Sequence, residues 1–511
     1  MARQLLMGID GGTRSIRVGF FDYEGHEISF AATEYEVIHQ HPGWAEQRPL
    51  EWWEALKRST KEAMKKGNIT KDEVVAMSLD TTCCTVVFAK EDGTPVRDAI
   101  MWMDVRSAKE AKDISDTKHD VLLPQGAAPV ENMPCKLLWV KRNEREIYDA
   151  CDVLCEYQDW LMHRFLGKWV LSTSNAGGRW YYDPKNEKWP TDFYDMIGLS
   201  DAYSRFPKEV TWPGDYAGNL SRFAADELGL TTDTKVIQGA VDSPSGTVGM
   251  GVASPGRLTL VTGSSHLIIG FCEMSSPLNR FAAREGGVIR GLGSFGGGQT
   301  SSGSIVNWFK ENMCFDILEK AKEMGVNPYD LLNEGASEIP PGSEGLIVLD
   351  YFQGNRDPYL DASVRGMIYG LSLNHTKYHI HRAIMEGVAF GTNNILKSIR
   401  ERGHEVDEII IGGGATNSDL FLQIHADVSN VSLLVPEQRE TPTLGCAMFA
   451  AVGIGVYKDI EEAAQSMTRY VKKITPNYEN HLKYQKIFEQ YEKIYPLFKD
   501  WMHATNALSN M

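Results

Sequence analysis

The chain has 511 residues, enough for two or three domains, and 42% of them are hydrophobic, so it can bury large cores. Lysine and arginine number 52 against 68 aspartates and glutamates, which gives a formal net charge of −16. Such an acidic chain repels nucleic acid and anionic membranes, which argues against both as partners. Any bound anion must then be held locally by backbone amides, a helix N-terminus or a metal ion.

The predicted elements alternate between strands and helices along the whole chain. Strands are predicted at 5–9, 16–21, 27–32, 74–79, 236–242, 258–261, 266–271 and 408–411. Helices are predicted at 49–66, at 378–400, in a stretch that ends at Asp427, and at 484–495. This mixture indicates an α/β fold class.

A glycine-containing turn between two apolar strands occurs twice, near residue 12 and near residue 263. This internal similarity predicts two related domains, 1–247 and 248–511, and the final helix could pack back on the first domain. The eight cysteines form no CxxC pair, which indicates free thiols in a reducing compartment. The longest apolar stretch, 445–456, is shorter than the roughly 20 residues that cross a bilayer. We therefore expect a soluble, cytoplasmic protein.

Four segments carry residue types suited to phosphate or metal chemistry. The turn after Asp10 could hold phosphate oxygens with its amides while Asp10 orients a magnesium ion, or it could simply be a hairpin turn. Asp242 could be a helix cap or a general base that faces a cleft between the domains. The segment 412–414 could contact a flat ligand or only link a strand to a helix, and 102–106 could form a site or only pack.

Three other patterns carry less weight. No P-loop sequence occurs. A GxGxxG string occurs at 291–296, but the acid expected about 20 residues later, Glu311, lies in a helical stretch, which argues against a dinucleotide fold. His375, His379 and His381 have no cysteine or acid at metal-ligand spacing, so we interpret them as surface histidines at a helix start.

These segments in this order resemble the FGGY family of carbohydrate kinases essentially from end to end. The matching motifs are Gly8-Ile9-Asp10-Gly11-Gly12-Thr13, Trp102-x-Asp104-x-Arg106, Gly239-Ala240-Val241-Asp242, Thr262-Gly263-Ser264-Ser265, the segment 297–300 with Gly303 and Asn307, the segment 366–372, Gly412-Gly413-Gly414-Ala415 and 443–447. The resemblance implies two ribonuclease-H-like domains of the actin, Hsp70 and hexokinase type around a central cleft. It implies that the first domain serves sugar and magnesium and the second serves the nucleotide.

The resemblance also assigns roles to single residues. Asp242 matches the catalytic base that takes the proton from the sugar hydroxyl, and Asp10 matches the acid that supports magnesium, with Asp242 as a second metal neighbour. The positions that face ATP are Thr13, Arg14, Ser15, Arg17, Thr262, Gly263, Gly303, Asn307, Gly413, Gly414 and Ser418. The positions that face the sugar are Thr82, Cys83, Trp102, Asp104, Arg106, Arg179 and Asp242.

Within the family the chain looks most like ketose kinases of the ribulokinase kind. Thr82 and Cys83 stand where glycerol kinases carry an Arg-Glu pair, which argues against glycerol. Ribulokinases tend to have Lys at the place of Arg179 and Ser or Thr at the place of Asp357, so a four-carbon ketose or polyol such as erythrulose or erythritol, or a sugar-like signal molecule, stays open beside a pentulose.

The expected partners are therefore a small sugar and ATP with Mg²⁺, and we expect a homodimer. The rival of another class is a non-catalytic, actin-like nucleotide switch. A chaperone of this fold needs a peptide-binding module, and none is visible after residue 470. Retention of Asp242 argues against a regulator that has lost catalysis.

Overall fold

The computed structural model describes residues 3–123, 125–274 and 284–508. They divide into two compact units. The first unit comprises 1–254, 271–295 and 440–468, and the second comprises 255–270, 296–439 and 469–511. Within the described ranges, none of the helices is both long enough and apolar enough to cross a membrane.

The strands, numbered in chain order, are mostly short and buried. They are β1 Leu5–Gly11, β2 Ser15–Phe21, β3 Glu27–Glu34, β4 Glu46–Gln47, β5 Val74–Thr81, β6 Val86–Ala89, β7 Ala99–Ile100, β8 Val153–Glu156, β9 Val170–Ser172, β10 Glu209–Thr211, β11 Tyr216–Asn219, β12 Lys235–Ile237, β13 Gly256–Thr262, β14 His266–Glu273, β15 Arg284–Glu285, β16 Leu292–Gln299, β17 Ile347–Leu349, β18 Met367–Tyr369, β19 Val406–Gly413, β20 Ser432–Pro436 and β21 Tyr470–Ile474.

The α-helices, also numbered in chain order, cover the sheets. They are α1 Pro49–Gly67, α2 Ala108–Asp116, α3 Met133–Asn143, α4 Arg145–Ala150, α5 Tyr157–Leu166, α6 Thr173–Arg179, α7 Thr191–Met196, α8 Arg222–Leu228, α9 Asp242–Gly249, α10 Gly303–Met313, α11 Phe315–Met324, α12 Pro328–Ser337, α13 Lys377–Arg400, α14 Asp419–Ser429, α15 Thr441–Gly453, α16 Ile460–Met467 and α17 Tyr478–Leu508.

The first unit is built on a six-stranded sheet in the order β11-β12-β5-β1-β2-β3. Strands β1, β2 and β3, all predicted from sequence, form an antiparallel meander, and β1 also pairs in parallel with β5. Every residue of β1 is buried, because the sheet is covered on both faces. A seven-stranded sheet in the order β15-β16-β14-β13-β19-β20-β21 contains the second hairpin, β13 and β14, beside the parallel strand β19. The predicted α/β class is confirmed.

Helix α1 illustrates why the apolar pattern predicts the helices well. Pro49 occupies the first turn, where its missing N–H costs nothing, and Trp52, Trp53 and Leu56 are buried on one face. Asn68 ends the helix in the left-handed conformation with φ of 47°. The predicted bounds 49–66 are therefore nearly those of the structure.

Two expectations from sequence are wrong. The strand predicted at 236–242 ends at Ile237, and Asp242 is instead the first residue of helix α9. His379 and His381, expected at the surface, are buried. The ring of His379 accepts a hydrogen bond from the Thr376 amide at the helix start, and the ring of His381 is hydrogen-bonded to Asn333 at 3.0 Å. The GxGxxG string runs into strand β16 rather than into a helix, so the argument against a dinucleotide fold is confirmed.

Candidate functional site

Asp10 lies at the end of strand β1, directly opposite Arg17 on strand β2. The Arg17 guanidinium donates from Nη1 to Asp10 Oδ2 at 2.5 Å. Burial raises the pKa of Asp10, and the charge of Arg17 partly offsets that rise. Asp10 is therefore a buried carboxylate at the carboxyl end of strand β1, and it is paired with one cationic side chain, that of Arg17.

Asp80 is a second buried carboxylate that the sequence analysis did not assign to the site. It lies level with Asp10 because β1 and β5 are parallel and pair these two residues. Its Oδ2 accepts a hydrogen bond from the Cys446 thiol at 3.1 Å, whereas its Oδ1 is buried without a partner. Burial, followed by the charges of Asp10 and Asp242, raises the pKa of Asp80 well above its usual range. The signal that could have found it is an aspartate at the end of a buried strand, as for Asp10.

Asp242 is half-buried and opens helix α9, so its carboxylate lies at the positive end of a helix. Its Oδ1 accepts hydrogen bonds from the amide and the hydroxyl of Ser243 at 2.6 and 3.2 Å. No group in the described ranges donates to its Oδ2, which leaves that oxygen free for a ligand. Withdrawal from water, then the charge of Asp10, raises the pKa of Asp242 to about 6.

Cys83 and Arg179 lie near Asp242 in the same unit. A hydrogen bond with the Cys84 thiol lowers the pKa of Cys83, and the charge of Arg179 lowers it further. The Arg179 side chain, about one-third exposed, has its Nη1 atom 3.6 Å from the Glu131 carboxylate. The guanidinium of Arg179, the thiol of Cys83 and the carboxylate of Asp242 therefore lie near one another on a partly exposed surface. Such a surface suits a ligand rich in hydroxyl or carbonyl groups.

Two fully buried charged side chains hold the turn that carries Cys84, and the sequence analysis missed both. Lys136 Nζ donates to the carbonyls of Cys84 and Met101 at 2.5 and 2.7 Å. Glu156 accepts from the Cys84 amide and from Trp180 Nε1, both at 2.7 Å. Burial lowers the pKa of Lys136 and raises that of Glu156 to about 7. Nothing local in the sequence marks these contacts, because they join segments far apart in the chain.

The glycine turn after Asp10 carries three of the residues predicted to face phosphate. Thr13 Oγ1 accepts a hydrogen bond from Trp102 Nε1 at 3.1 Å, so these two predicted site residues lie together. Arg14 is exposed and Ser15 is half-buried, and the Ser15 carbonyl accepts from the Gly12 amide at 3.0 Å. Trp102 is 38% exposed, which leaves its ring available to a ligand.

Three residues predicted to face the sugar are bonded within the protein instead. Arg106 donates from Nε and Nη2 to the two carboxylate oxygens of Asp104 at 2.9 and 2.7 Å, and both side chains are almost fully buried. Arg106 Nη1 also lies 2.8 Å from a Glu46 oxygen. Thr82 is buried with its hydroxyl 3.2 Å from that of Thr85. A direct sugar contact by these three residues stays a prediction.

The carboxylates of the first unit fit a magnesium ion in their chemistry. Magnesium is usually held by one or two carboxylates together with water and phosphate oxygens, so a closed cage of protein ligands is not needed. Asp80 Oδ1 is a buried oxygen without a partner, the charges of Asp10 and Asp242 raise the pKa of Asp80, and the charge of Asp10 raises the pKa of Asp242. Within the described ranges, a set of three acidic or histidine ligand atoms within 4.8 Å occurs only in the exposed turn with Asp22, Glu24 and His26.

In the second unit the hairpin turn after strand β13 meets two other segments. Thr262 Oγ1 donates to the Gly412 carbonyl at 2.7 Å and accepts from the Ala415 amide at 3.0 Å. The Gly303 amide, at the start of helix α10, donates to the Gly263 carbonyl at 3.2 Å. The turn, a helix N-terminus and the end of β19 are thereby held in one place, where the positive end of helix α10 suits an anion.

Gly413 requires the absence of a side chain at this meeting point. Its φ is +90°, and a Cβ atom there would lie 1.9 Å from the Thr262 carbonyl oxygen. Gly414 next to it has no heavy atom within 4 Å of an added Cβ. Ser418 begins helix α14 by accepting a hydrogen bond from the Phe421 amide at 3.2 Å.

A cavity of about 900 Å³ opens beside this turn within the second unit. Its walls include the predicted nucleotide residues Thr262, Gly263, Gly303, Asn307, Gly414 and Ser418. Helix α12 adds Tyr329, Asp330 and Asn333, which the sequence analysis missed, and the Tyr329 hydroxyl donates to Asn307 Oδ1 at 3.1 Å. The cavity has the size of small-molecule sites and combines aromatic and amide groups.

Each unit has a glycine-containing turn between two strands, the first unit has neighbouring carboxylates, and the second has a cavity of small-molecule size. These are features of a phosphotransferase with the actin and hexokinase type of fold. The chain belongs to the FGGY family of carbohydrate kinases: the model of the family's N-terminal domain matches residues 5–249, and that of its C-terminal domain matches 258–454. The fold and the enzyme class expected from sequence are confirmed. The protein is a sugar phosphotransferase.

Curated relatives of the whole chain are kinases of two pentuloses. The ribulokinase of Halalkalibacterium halodurans is 30% identical over 558 aligned residues, which cover 100% of this chain and 98% of the relative. The xylulose kinase of Staphylococcus epidermidis is 29% identical over 504 aligned residues, which cover 97% of each. The ketose-kinase resemblance is therefore confirmed.

Solved structures share the fold. The xylulose kinase of Rhodospirillum rubrum superposes with a TM-score of 0.87 at 23% identity and covers 98% of this chain and 100% of that chain. The glycerol kinase of Plasmodium falciparum, solved with ADP, has a TM-score of 0.82 at 20% identity and covers 96% and 98%.

Proposed function

We propose that this protein transfers the γ-phosphoryl group of Mg-ATP to a hydroxyl of a pentulose, ribulose or xylulose. The observation that carries the proposal is the half-buried Asp242, whose Oδ2 is free and which lies near Arg179 and Cys83. The names of the relatives support a five-carbon ketose as acceptor.

Asp242 is the general base of the proposed reaction. With a pKa of about 6, its carboxylate is largely ionised at neutral pH yet remains basic enough to accept the proton of the attacking hydroxyl. The Ser243 amide and hydroxyl hold Oδ1, so Oδ2 is the atom that receives the proton. Phosphoryl transfer depends mainly on alignment and charge stabilisation, so the orientation of this oxygen matters more than its basicity.

Arg179 and Cys83 orient the acceptor. A guanidinium that is only loosely paired with Glu131, at 3.6 Å, can turn to donate to a ketose carbonyl or hydroxyl. An active site that pairs particular hydroxyls rejects analogues without them, because buried polar groups are then left unsatisfied. Glycerol is therefore a poor acceptor, and so are the shorter erythrulose and erythritol.

The donor occupies the second unit in this proposal. The cavity beside Asn307 and Tyr329 receives the nucleoside, and the N-terminus of helix α10, beside the turn at Thr262 and Gly263, faces its phosphates. The turn at Thr13 holds the transferred phosphoryl group together with Arg17. Asp10 and Asp242 would hold the magnesium ion, which neutralises the charge that develops on the phosphates.

The proposal is tested with Asp242→Asn and a panel of acceptors: ribulose, xylulose, erythrulose, erythritol and glycerol. An amide cannot take the proton, so we expect kcat for the pentulose to fall about 100- to 10,000-fold while ATP binding and the unfolding temperature stay unchanged. The control is Asp226→Asn, which changes an exposed carboxylate on helix α8 that pairs only with Arg222.

ADP release is measured by a coupled assay and nucleotide binding by calorimetry. Wild-type turnover by Asp242→Asn would refute the role of the base. Equal kcat/KM for glycerol and both pentuloses would refute the acceptor class. ATP hydrolysis that none of the five acceptors stimulates would favour a nucleotide switch.

A further inference from the structure

The segment that leads to Asp242 departs from the regular sheet. Strand β12 pairs with β5 up to the partners Ile237 and Ser78, and the pairing resumes only as a single bridge between Val241 and Thr81. Ser78 and Thr81 are three residues apart on β5, whereas their partners Ile237 and Val241 are four residues apart. One residue is extra, so local carbonyls lose the donors that the ladder would have supplied.

Gln158 supplies the missing donors. Its side chain, on helix α5, is fully buried, and Nε2 donates to the carbonyls of Leu79 and Ala240 at 2.9 and 3.1 Å. Leu79 directly precedes Asp80, and Ala240 lies two residues before Asp242. One amide group therefore joins the two backbone segments that carry these carboxylates, at the point where the ladder is broken.

The Gln158 amide is itself held by helix α6. Asn175 Nδ2 donates to Gln158 Oε1 at 3.1 Å, which orients the amide so that its NH₂ group faces the two carbonyls. Ser172 Oγ donates to the Gly239 carbonyl at 2.9 Å, and Ser174 Oγ accepts from the Val241 amide at 3.2 Å. The same helix ends at Arg179, so the network also relates the position of Asp242 to that of the proposed sugar-binding cation.

There is no room for the segment to relax toward the sheet. A Cβ atom on Gly239 would lie 1.9 Å from the Leu79 carbonyl oxygen, so the backbones already touch. The segment between strand β12 and Asp242 is held along this surface by the hydrogen bonds of Gln158, Ser172 and Ser174. Without the bonds from Gln158, the start of helix α9 can shift relative to strand β5.

We propose that Gln158 is a positioning residue for the general base: its amide places Asp242 Oδ2 to take the proton of the attacking hydroxyl, without touching the substrate. The inference rests on the proposed role of Asp242. A 1 Å displacement of a catalytic group costs about 100-fold in rate, so loss of two hydrogen bonds near the base affects kcat far beyond its effect on stability.

The test replaces Gln158 with methionine, which has nearly the same shape but no donor. The matched control is Thr234→Val. Thr234 is also fully buried, and its hydroxyl donates to the Val74 carbonyl at 3.0 Å, at the opposite end of strand β5. Both variants lose a buried bond from a side chain to a backbone carbonyl of β5, but only one loses it beside the base.

We expect Gln158→Met to lower kcat for the accepted pentulose about 10- to 100-fold, with a change of less than about twofold in the KM for ATP. Thr234→Val lowers the unfolding temperature and leaves kcat within about twofold of wild type. If Gln158→Met does not fold, Asn175→Ala removes the bond that orients the amide and leaves Gln158 in place, and it lowers kcat several-fold with the KM for ATP unchanged.

Asp242→Asn is assayed alongside. If Asp242→Asn is inactive while the Gln158 and Asn175 variants lose no more kcat than Thr234→Val, the positioning role is overturned and the base stands. If Asp242→Asn retains activity, the proposed function itself fails. A rise in the KM for ATP that matches the fall in kcat would also overturn the inference, because it indicates general damage.

Discussion

Asp10, Asp80 and Asp242 share the first unit and have their pKa raised by burial, yet different groups compensate each one. Asp10 is paired with the Arg17 guanidinium, whereas Asp80 accepts a hydrogen bond from the Cys446 thiol and has a buried Oδ1 without a partner. Asp242 is half-exposed and bonded by Ser243 on one oxygen alone. Carboxylates whose surroundings differ in this way suit different roles, and Asp242 is the one with an oxygen open to a substrate.

The pH dependence of the reaction follows from the charges near Asp242. The carboxylate must be ionised to act as a base, so kcat/KM for the pentulose falls as pH drops below about 6. Arg179 lowers the pKa of Asp242, and Arg179→Ala therefore moves this acid limb to higher pH and raises the KM for the sugar. The measurement is kcat/KM from pH 5 to 9.

Arg145→Ala serves as the control for Arg179. Arg145 is exposed on helix α4 and pairs with Asp149 one turn away, so its loss leaves the limb in place. An Arg179→Ala enzyme with unaltered sugar kinetics and an unshifted limb would show that Arg179 does not face the sugar.

Residues differ in how far sequence alone can place them. Asp242 and Asp10 could be proposed as site residues from sequence because each belongs to a short contiguous motif at the end of an apolar run, and their roles stay predictions. Asp80 needs the parallel register of β1 and β5, which local sequence does not state. Asp104 and Arg106 look like a ligand-binding pair by residue type, but in the structure the Arg106 guanidinium donates two hydrogen bonds to the Asp104 carboxylate. Sequence alone does not show that each charge has its partner within the protein.

At the scale of elements, the strand-to-helix segment at Gly413 depends on backbone approach. Gly413→Ala places a Cβ against the Thr262 carbonyl in a left-handed conformation, which displaces the turn proposed to hold phosphate. We expect the KM for ATP to rise at least about tenfold and the unfolding temperature to fall. Steady-state kinetics with varied ATP and a thermal melt measure both effects.

Gly414→Ala is the neighbouring control, since an added Cβ there meets no atom within 4 Å. Its stability is unchanged or slightly higher, and since Gly414 lines the proposed nucleotide cavity, any rise in its KM for ATP comes without a fall in the unfolding temperature. Similar losses in both variants would indicate that flexibility of the segment, rather than close approach at Gly413, is what the nucleotide requires.

Periodicity predicts elements well where one face is continuously apolar, and less well where polar groups end them. Helices α1 and α13 were predictable because large apolar residues recur every three or four positions in both, although helix α13 is buried on nearly all sides. Strand β12 ends five residues earlier than predicted, because Gln158 from a distant helix replaces the ladder after Ile237. A tertiary hydrogen bond of that kind leaves no mark in the sequence of the strand itself.

For the whole molecule, the hairpin repeated near residues 12 and 263 indicated a duplicated architecture. The first copy, strands β1 and β2, lies in a sheet of the first unit, and the second copy, strands β13 and β14, begins in the second unit. The net charge of −16 agrees with phosphate binding by turns and helix N-termini rather than by a basic surface. The homodimer expected from sequence stays a prediction. Light scattering of the purified protein measures the mass that decides it.

Buried titratable groups make the stability of the whole molecule depend on pH with a definite sign. Burial raises the pKa of Glu156 to about 7 and that of Asp350 to about 6, so near pH 6 the folded protein holds protons that the unfolded chain has released. The stability these groups contribute is complete below their unfolded values near 4 and is lost as pH rises through 6 and 7. Burial lowers the pKa of His381 and His425 to about 4, which instead removes stability as pH falls below about 6.5.

The unfolding temperature of the wild-type protein should therefore be highest near pH 6.5 and fall by about 1 °C or less toward pH 8. Glu156→Gln removes one titrating group and keeps a side-chain oxygen to accept from the Cys84 amide or from Trp180. Its melting curves should show a shallower fall between pH 6.5 and 8, even though the variant is less stable at pH 6.5. Calorimetric melts in buffers of equal ionic strength make the comparison. A wild-type unfolding temperature that stays constant or rises from pH 6.5 to 8 would mean that Glu156 and Asp350 are ionised in the folded state and that other charges compensate them.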